Sequence, residues 1–321
     1  MKYKVSVCIP IYNAGKYLRK CLDSLINQTL KEIQIVCVND GSTDDSLTIL
    51  KEYSKKYSNI KVISQNNKGV IEARIKCFNN ADAEYIGWVD ADDFVEVTMF
   101  EKMYNAAKKE DSDVVICNYN FYPQRVINKS KWFREYKGKV DWEFISFNTI
   151  QWNKIVKRSL LERLEIADLF KNIGEGCYSI VLINANGVST INECLYNYRV
   201  GHESLSSNFK NIDWYKKTIH RAKIKEEYID KHNYDDYWKE FFHFVYLYYC
   251  LIHLIVSAYS ENYEEYKSSK KILKKEKMFS KKNLYYLKNY FSYMKIIYLK
   301  YIGINSYLLL KLSTKILFKT K

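Results

Sequence analysis

The segment YIGWVDADDF, Tyr85–Phe94, runs from an apolar stretch into three carboxylates within four positions, Asp90, Asp92 and Asp93. Like charges at that spacing repel unless a cation or a set of hydrogen-bond donors lies beside them. Capping of the next helix accounts for one carboxylate, Asp93. A divalent ion accounts for the set, because Mg2+ and Mn2+ take oxygen ligands, commonly one or two carboxylates together with substrate phosphates. Such an ion would neutralise charge building on a departing diphosphate. A second acidic candidate is Asp40 in VNDGSTDDS. At the end of a strand it could accept from a uracil N–H or a ribose hydroxyl. In the same stretch Ser42 or Thr43 is expected to cap a helix starting near Asp44, with Asp44 and Asp45 in its first turn.

The first 120 positions, which carry these residues, alternate regularly. Val5–Ile11, Ile33–Asn39, Ile60–Ser64, Tyr85–Asp90 and Val114–Asn118 are short, β-branched or aromatic runs that read as buried strands. Between them Lys16–Asn27, Asp45–Tyr57, Val70–Asn80 and Thr98–Lys108 show helical spacing. The alternation predicts an α/β fold with a parallel sheet covered by helices and ligands at the carboxyl ends of the strands. Four polar clusters fall at those ends: Tyr12-Asn13, Asp40-Gly41-Ser42, Asn66–Gly69 and Asp90–Asp93. Together they describe a crevice. Beyond Tyr122 the alternation stops; Gln151–Leu164 reads as a helix, Gly187–Arg199 as a strand or hairpin, and the chain is helical from about Trp214. The boundary is expected near residue 210, with a helical region over 211–321.

The net charge of +14 is unevenly spread. Residues 1–120 carry roughly 16 basic and 17 acidic side chains, whereas from Glu261 onward roughly 15 lysines face four glutamates. The eight cysteines are scattered with no CxxC pair, a pattern of reduced thiols in a cytosolic protein and not of a disulfide frame or zinc site. The apolar run Val5–Ile11 is short and contains Pro10, so a signal peptide is not expected. Phe241–Tyr259 has no formal charge over 19 residues, long enough to cross a bilayer, but its two histidines and four tyrosines favour a buried helix.

The stretches VSVCIPIYNAGKYLRKCLDSLINQTL, IVCVNDGSTDDS, NKGVIEAR and YIGWVDADD resemble, in order and spacing, the inverting nucleotide-sugar glycosyltransferases of the large family that includes cellulose, chitin and hyaluronan synthases. The likeness is greatest to small bacterial members that build capsule, lipopolysaccharide and teichoic-acid glycans. It is strong over residues 4–120 and continues weakly through QWNKIVKRSLL and LYNYRVGHESLS to about residue 207. The resemblance implies a GT-A fold over 1–210, with a nucleotide-binding half (1–120) and an acceptor-side half (121–210). It implies a UDP-sugar donor, a glycan or lipid-linked glycan acceptor, and Mn2+ or Mg2+ as cofactor. Pro10, Tyr12 and Asp40 would hold the uridine, and Lys68 and Arg74 would lie near the nucleotide or diphosphate. Asp90-Ala91-Asp92 would form the DxD, with Asp92 the direct metal ligand and Asp90 the ribose or metal-water contact. Arg199, His202 and Ser204 resemble a later loop that closes over diphosphate and metal, His202 as a further ligand. Trp152 and Asp93 stand on the acceptor side, Trp152 either stacking on a sugar or packing in the core.

At one position the sequence departs from this pattern. Relatives carry Glu-Asp before an aromatic helix, the Asp being the base; here the stretch is Gly174-Glu175-Gly176-Cys177-Tyr178. Inversion needs a base within reach of the acceptor hydroxyl. Glu175 is the candidate, Asp168 a distant second, and a donor-binding partner that transfers poorly is the alternative. A nucleotidyltransferase would need a glycine- and basic-rich triphosphate loop, and PIYNAGKYLRK has one glycine. In the tail, Tyr286, Tyr290, Tyr293, Ile297 and Tyr301 alternate with Lys288, Lys295 and Lys300. Such helices suit an anionic membrane surface first, then a homo-oligomer contact; no nucleic-acid module is present. The expected location is the cytoplasm, at the inner face of the cell membrane if the tail docks there.

Overall fold

A computed structural model describes residues 2–123, 136–201, 212–291, 295–296, 299–300 and 304–311. The chain divides into two compact units, residues 1–202 and 203–321.

The first unit is a nine-stranded mixed sheet with helices packed on it. Its first half follows the apolar runs: β1 (Tyr3–Ile11), β2 (Ile33–Asp40), β3 (Ile60–Gln65) and β4 (Ala83–Trp88) are parallel neighbours in the order β3-β2-β1-β4. Each crossover is a helix, α1 (Gly15–Ile26), α2 (Ser46–Lys56) and α3 (Val70–Asn80). Apolar side chains at helical spacing, such as Leu18, Cys21, Leu22 and Leu25, are buried against the strands. Register pairs Ile11 with Asn39 and Asn39 with Ser64, so the strand ends that carry the polar clusters share one edge.

The second half closes the sheet on the far side of β4. Short β5 (Phe94–Val95) leads into α4 (Met99–Glu110) and β6 (Val114–Tyr122). After β7 (Lys137–Gly138) and α5 (Trp142–Phe147), β8 (Lys154–Lys157) inserts antiparallel between β4 and β6. This corrects the helical reading of Gln151–Leu164. Only Arg158–Arg163 is helical (α6), and Ile155 and Val156 are buried as sheet residues. A four-residue strand is too short for its period to show in sequence. Because β8 runs backwards, its start, with Gln151-Trp152-Asn153 before it, lies at the same edge as the end of β4. Next come α7 (Ile166–Ile173), a 3-10 turn (Gly174–Cys177), α8 (Tyr178–Ile183) and β9 (Val188–Arg199). β9 runs parallel to β6 and brings Arg199 level with Tyr122.

The second unit contains α9 (Ile212–Lys231), α10 (Asp236–Tyr259), α11 (Tyr263–Lys275) and α12 (Lys281–Leu287). Among the described residues α10 is the one helix long and apolar enough to cross a membrane. It packs against α9, α11 and α12, and 67% of its most apolar stretch is buried. All eight cysteines are free, and seven are buried.

Candidate active site

The rim is built by loops that bind one another through backbone donors. Asn13, with a left-handed φ of 50°, donates its N–H to the Ser42 hydroxyl and accepts from Thr43 N–H at 2.8 Å. Asp44 accepts from Gly15 N–H at 2.8 Å and Ser46 N–H at 3.0 Å, so one carboxylate serves the first residues of both α1 and α2. The cap expected of Ser42 or Thr43 is therefore absent; Asp45 occupies the N-cap position without a side-chain bond, and Ser42 binds the neighbouring loop instead.

Asp40 is 3% exposed, and its two oxygens accept from Gln65 Nε2, Lys68 N–H and Gly69 N–H at 2.8–2.9 Å. The carboxylate thus anchors the 65–69 segment, and a nucleotide donor reaching it must share oxygens already in use. Gly41 permits this approach. Its φ is +72°, and a Cβ there would lie 2.6 Å from the backbone nitrogen of Asn67. Tyr12 stands 53% exposed beside this loop, Pro10 is half-buried, and the Lys68 side chain is exposed.

The acidic corner is organised by Arg74. From α3 this buried guanidinium reaches Asp90 Oδ1 at 3.1 Å and, through its other terminal nitrogen, Glu175 in the 3-10 turn. Packing of α3 against α7 brings these segments together. The Gln151 amide lies over the same guanidinium, its oxygen able to accept when turned towards it. Burial opposes the charge on Arg74, but Asp90 and Glu175 keep its pKa above the ordinary range. Burial pushes the Asp90 carboxyl up to about 6; Arg74 opposes this, while Glu175 and Asp92 add to it. Asp168 is exposed in the first turn of α7, and Glu175 is the one that reaches Arg74.

Asp93 departs from both expected roles. It is 1% exposed, with Oδ2 accepting from the Tyr196 hydroxyl at 2.6 Å and Oδ1 from Arg199 N–H at 2.7 Å. Burial pushes its pKa up to about 8. The helix that follows starts after Thr98, too far along the chain for Asp93 to cap it. Asp93 is therefore a strut between the corner and β9, and burial withholds it from an acceptor. Tyr196 completes the strut by accepting from Asp90 N–H at 3.2 Å.

Arg199 donates Nε–H to the Asp92 carbonyl at 2.7 Å and lays its guanidinium over Tyr17 and Tyr122, 4.6 and 5.1 Å from the ring centroids. Ala91, between Asp90 and Asp92 in the chain, is buried, and Asp92 is half-buried. Trp152 stacks on Tyr196 (4.3 Å) and Tyr198 (5.3 Å) and meets Tyr119 edge-on, packed against the core, which is the core alternative of its two readings. His202 and Ser204 lie outside the described residues. Among the described residues no group of three or more His, Cys, Asp or Glu side chains forms a metal cluster. Asp90 and Asp92 still suit a divalent ion whose remaining ligands are substrate phosphates and water, the usual arrangement for Mg2+.

Sequence reading missed Gln151, Tyr196 and Lys154. Gln151 had a signal, its place beside Trp152 in QWNK; Tyr196 had only the alternation of LYNYR. Lys154 is fully buried and donates to Asn153 Oδ1 at 2.7 Å and to the Ile150 carbonyl, which fixes the loop that presents Gln151 and Trp152. Burial lowers its pKa to about 7. Between pH 7 and 10 the unfolded chain therefore binds more protons at this position, so stability should rise with pH across that window. Denaturant titrations at several pH values check this: the Lys154→Met protein should show a flatter rise, and an identical slope in both proteins would contradict it.

A chain with this sheet order, these crossovers and an acidic corner at the carboxyl edge is a GT-A transferase by architecture. Residues 6–165 match the family model described as Glycosyl transferase family 2. Glycosyltransferase GlyG of Streptococcus pneumoniae is 31% identical over 230 residues, covering 67% of this chain and 76% of that protein. The protein belongs to glycosyl transferase family 2. Among solved structures, S. aureus TarS 1-349 in complex with UDP-GlcNAc aligns with a TM-score of 0.60 at 20% identity, over 83% of this chain and 90% of that one. The mannosyltransferase PcManGT of Pyrobaculum calidifontis, in complex with GDP-Man and Mn2+, aligns with a TM-score of 0.58 at 14% identity, over 100% of this chain and 89% of that one. At such identities the likeness carries the fold. The chain spans between 26% and 76% of the length of curated relatives that it matches.

Proposed function

We propose that the protein is a metal-dependent, inverting hexosyltransferase that moves a sugar from a UDP-sugar to a hydroxyl of a bacterial surface glycan. The observation that carries this reading is the fork of Arg74, which gathers Asp90 and Glu175, a residue 101 positions away in sequence, at one corner of the rim. UDP-GlcNAc in the TarS complex supports the donor class, and Mn2+ in the mannosyltransferase supports the ion. Asp90 and Asp92 would hold that ion with donor phosphate oxygens, and when bound it supplies charge neutralisation for the departing diphosphate. Arg199, oriented by the corner and two tyrosines, offers its guanidinium to the same phosphates. Glu175, with its side chain 55% exposed, accepts the acceptor's hydroxyl proton while that oxygen attacks the anomeric carbon opposite the leaving UDP.

A second reading is a donor-binding subunit that transfers poorly. Two observations favour it: Gly176 stands where the family places its base, and Glu175 is already engaged by Arg74. Calorimetry with UDP and a turnover screen of UDP-sugars with Mn2+ or Mg2+ separate the two. Under the first reading Glu175→Gln should lower turnover by roughly a hundredfold to ten-thousandfold and leave UDP affinity unchanged. UDP binding without turnover of any donor supports the second, and absence of UDP binding overturns both.

A further inference from the structure

Beyond the body of the sheet, β6 and β9 continue side by side as a ribbon. β8, the other neighbour of β6, stops pairing with it at Ile116, whereas β6 runs on to Tyr122 beside Arg199 of β9. Register sets Tyr119 beside Tyr196 and Phe121 beside Tyr198, so alternation along each strand gathers these four rings on one face. Tyr122 and Arg199 fall on the other face, where the guanidinium lies over Tyr17 and Tyr122. Trp152 is laid across the aromatic face, stacked on Tyr196 and Tyr198 and edge-on to Tyr119. Phe121 extends the array, edge-on to Tyr119 at 5.6 Å and to Tyr198 at 6.1 Å.

One end of this array touches the acidic corner. The Tyr196 hydroxyl donates to Asp93 at 2.6 Å, and Trp152 follows Gln151, whose amide lies over the guanidinium that holds Glu175. From there the rings lead away along the ribbon, through Tyr198 to Phe121. Core packing accounts for buried Tyr196 and for Trp152 stacked upon it. It does not account for Tyr198 and Phe121, which pair past the end of β8 and keep part of their surface in water. A flat ring at the mouth of a polar site suits a partner with an apolar face and a polar edge. A pyranose has both: axial C–H groups cover its face, and hydroxyls surround its rim, free to meet polar groups. A polyol phosphate has no such face. We propose that Tyr198 and Phe121 form a subsite for a pyranose ring of the acceptor, behind the sugar whose hydroxyl attacks. This subsite rests on the transfer reading above, since a hydroxyl delivered to Glu175 leaves the rest of the glycan to run over these two rings. Both are positioning residues and neither reaches the reacting atoms.

Saturation-transfer difference NMR on the full chain reads the binding, with chitotetraose and cellotetraose as probes and UDP with Mg2+ present. In the wild type, saturation should concentrate on axial ring protons and spare the exocyclic hydroxymethyl protons. Phe121→Leu with Tyr198→Leu keeps apolar bulk and removes the rings. It should weaken tetrasaccharide binding roughly tenfold and leave UDP affinity, measured by calorimetry on the same protein, unchanged. Phe121→Tyr, which keeps the ring, should bind as wild type does. Circular dichroism confirms that the leucine variant folds, and the wild-type proton pattern stands without it. The subsite is overturned if a chain that binds UDP takes up neither tetrasaccharide, if saturation spreads evenly over ring and hydroxymethyl protons, or if the leucine variant binds undiminished; each leaves the donor reading intact. Tetrasaccharide binding with the expected pattern and no UDP affinity strikes the donor reading instead and keeps the sugar platform.

Discussion

Asp92→Ala should lower metal-dependent turnover of a UDP-sugar by about a thousandfold or more, close to 4 kcal/mol of transition-state stabilisation. Three carboxylates converge on this corner, but they are not equivalent. Asp93 is consumed by Tyr196 and Arg199 N–H, and Asp90 is held by Arg74. Asp92 is half-buried on the rim, and Arg199 holds its backbone carbonyl, so the peptide stays fixed when the side chain is removed. Removing one anion from a crowded set also relieves repulsion, so the melting temperature should hold or rise slightly. Stability and turnover therefore move apart in this variant. Turnover that survives both the substitution and a chelator would sink the assignment of the corner to a metal and diphosphate.

Arg74→Met should damage both properties. The guanidinium is buried between two carboxylates, and its loss leaves Asp90, already pushed up to about 6, without its main compensating charge. Breaking such a partly buried network is expected to cost roughly 2–4 kcal/mol of stability. Turnover should fall by about a hundredfold, because Asp90 and the turn carrying Glu175 lose their common orientation. Arg74→Lys should not restore turnover, since a single ammonium cannot reproduce a fork that reaches Asp90 with one nitrogen and Glu175 with another. Adding Glu175→Gln to Arg74→Met should recover part of the stability and none of the activity. Denaturation midpoints and donor turnover for the four proteins test this; full activity in Arg74→Lys would show that the fork is not needed.

The parts of the site that were legible were those with local signals. Apolar runs of five to seven residues bounded by Asn, Asp and Gly marked β1 to β4 before any pairing was known, and parallel strands can only place those boundaries on one edge. β8 was misread because four residues between a tryptophan loop and a true helix do not show a period. Asp93 was misjudged for another reason. Sequence shows three neighbouring carboxylates alike, and burial separates them only when the end of β9 arrives with Tyr196 and Arg199.

By itself the amino-acid sequence determined the strand and helix alternation, the acidic corner, and the glycine in place of an aspartate at position 176, all properties of residues near one another in the chain. Tertiary structure alone decided that Arg74 joins Asp90 to Glu175, that Asp40 anchors the 65–69 loop, and that Asp93 is buried against Tyr196 and the Arg199 backbone. The physical reason is that charge pairing and desolvation depend on distance in space. Partners up to 107 residues apart meet only after the helices have packed on the sheet.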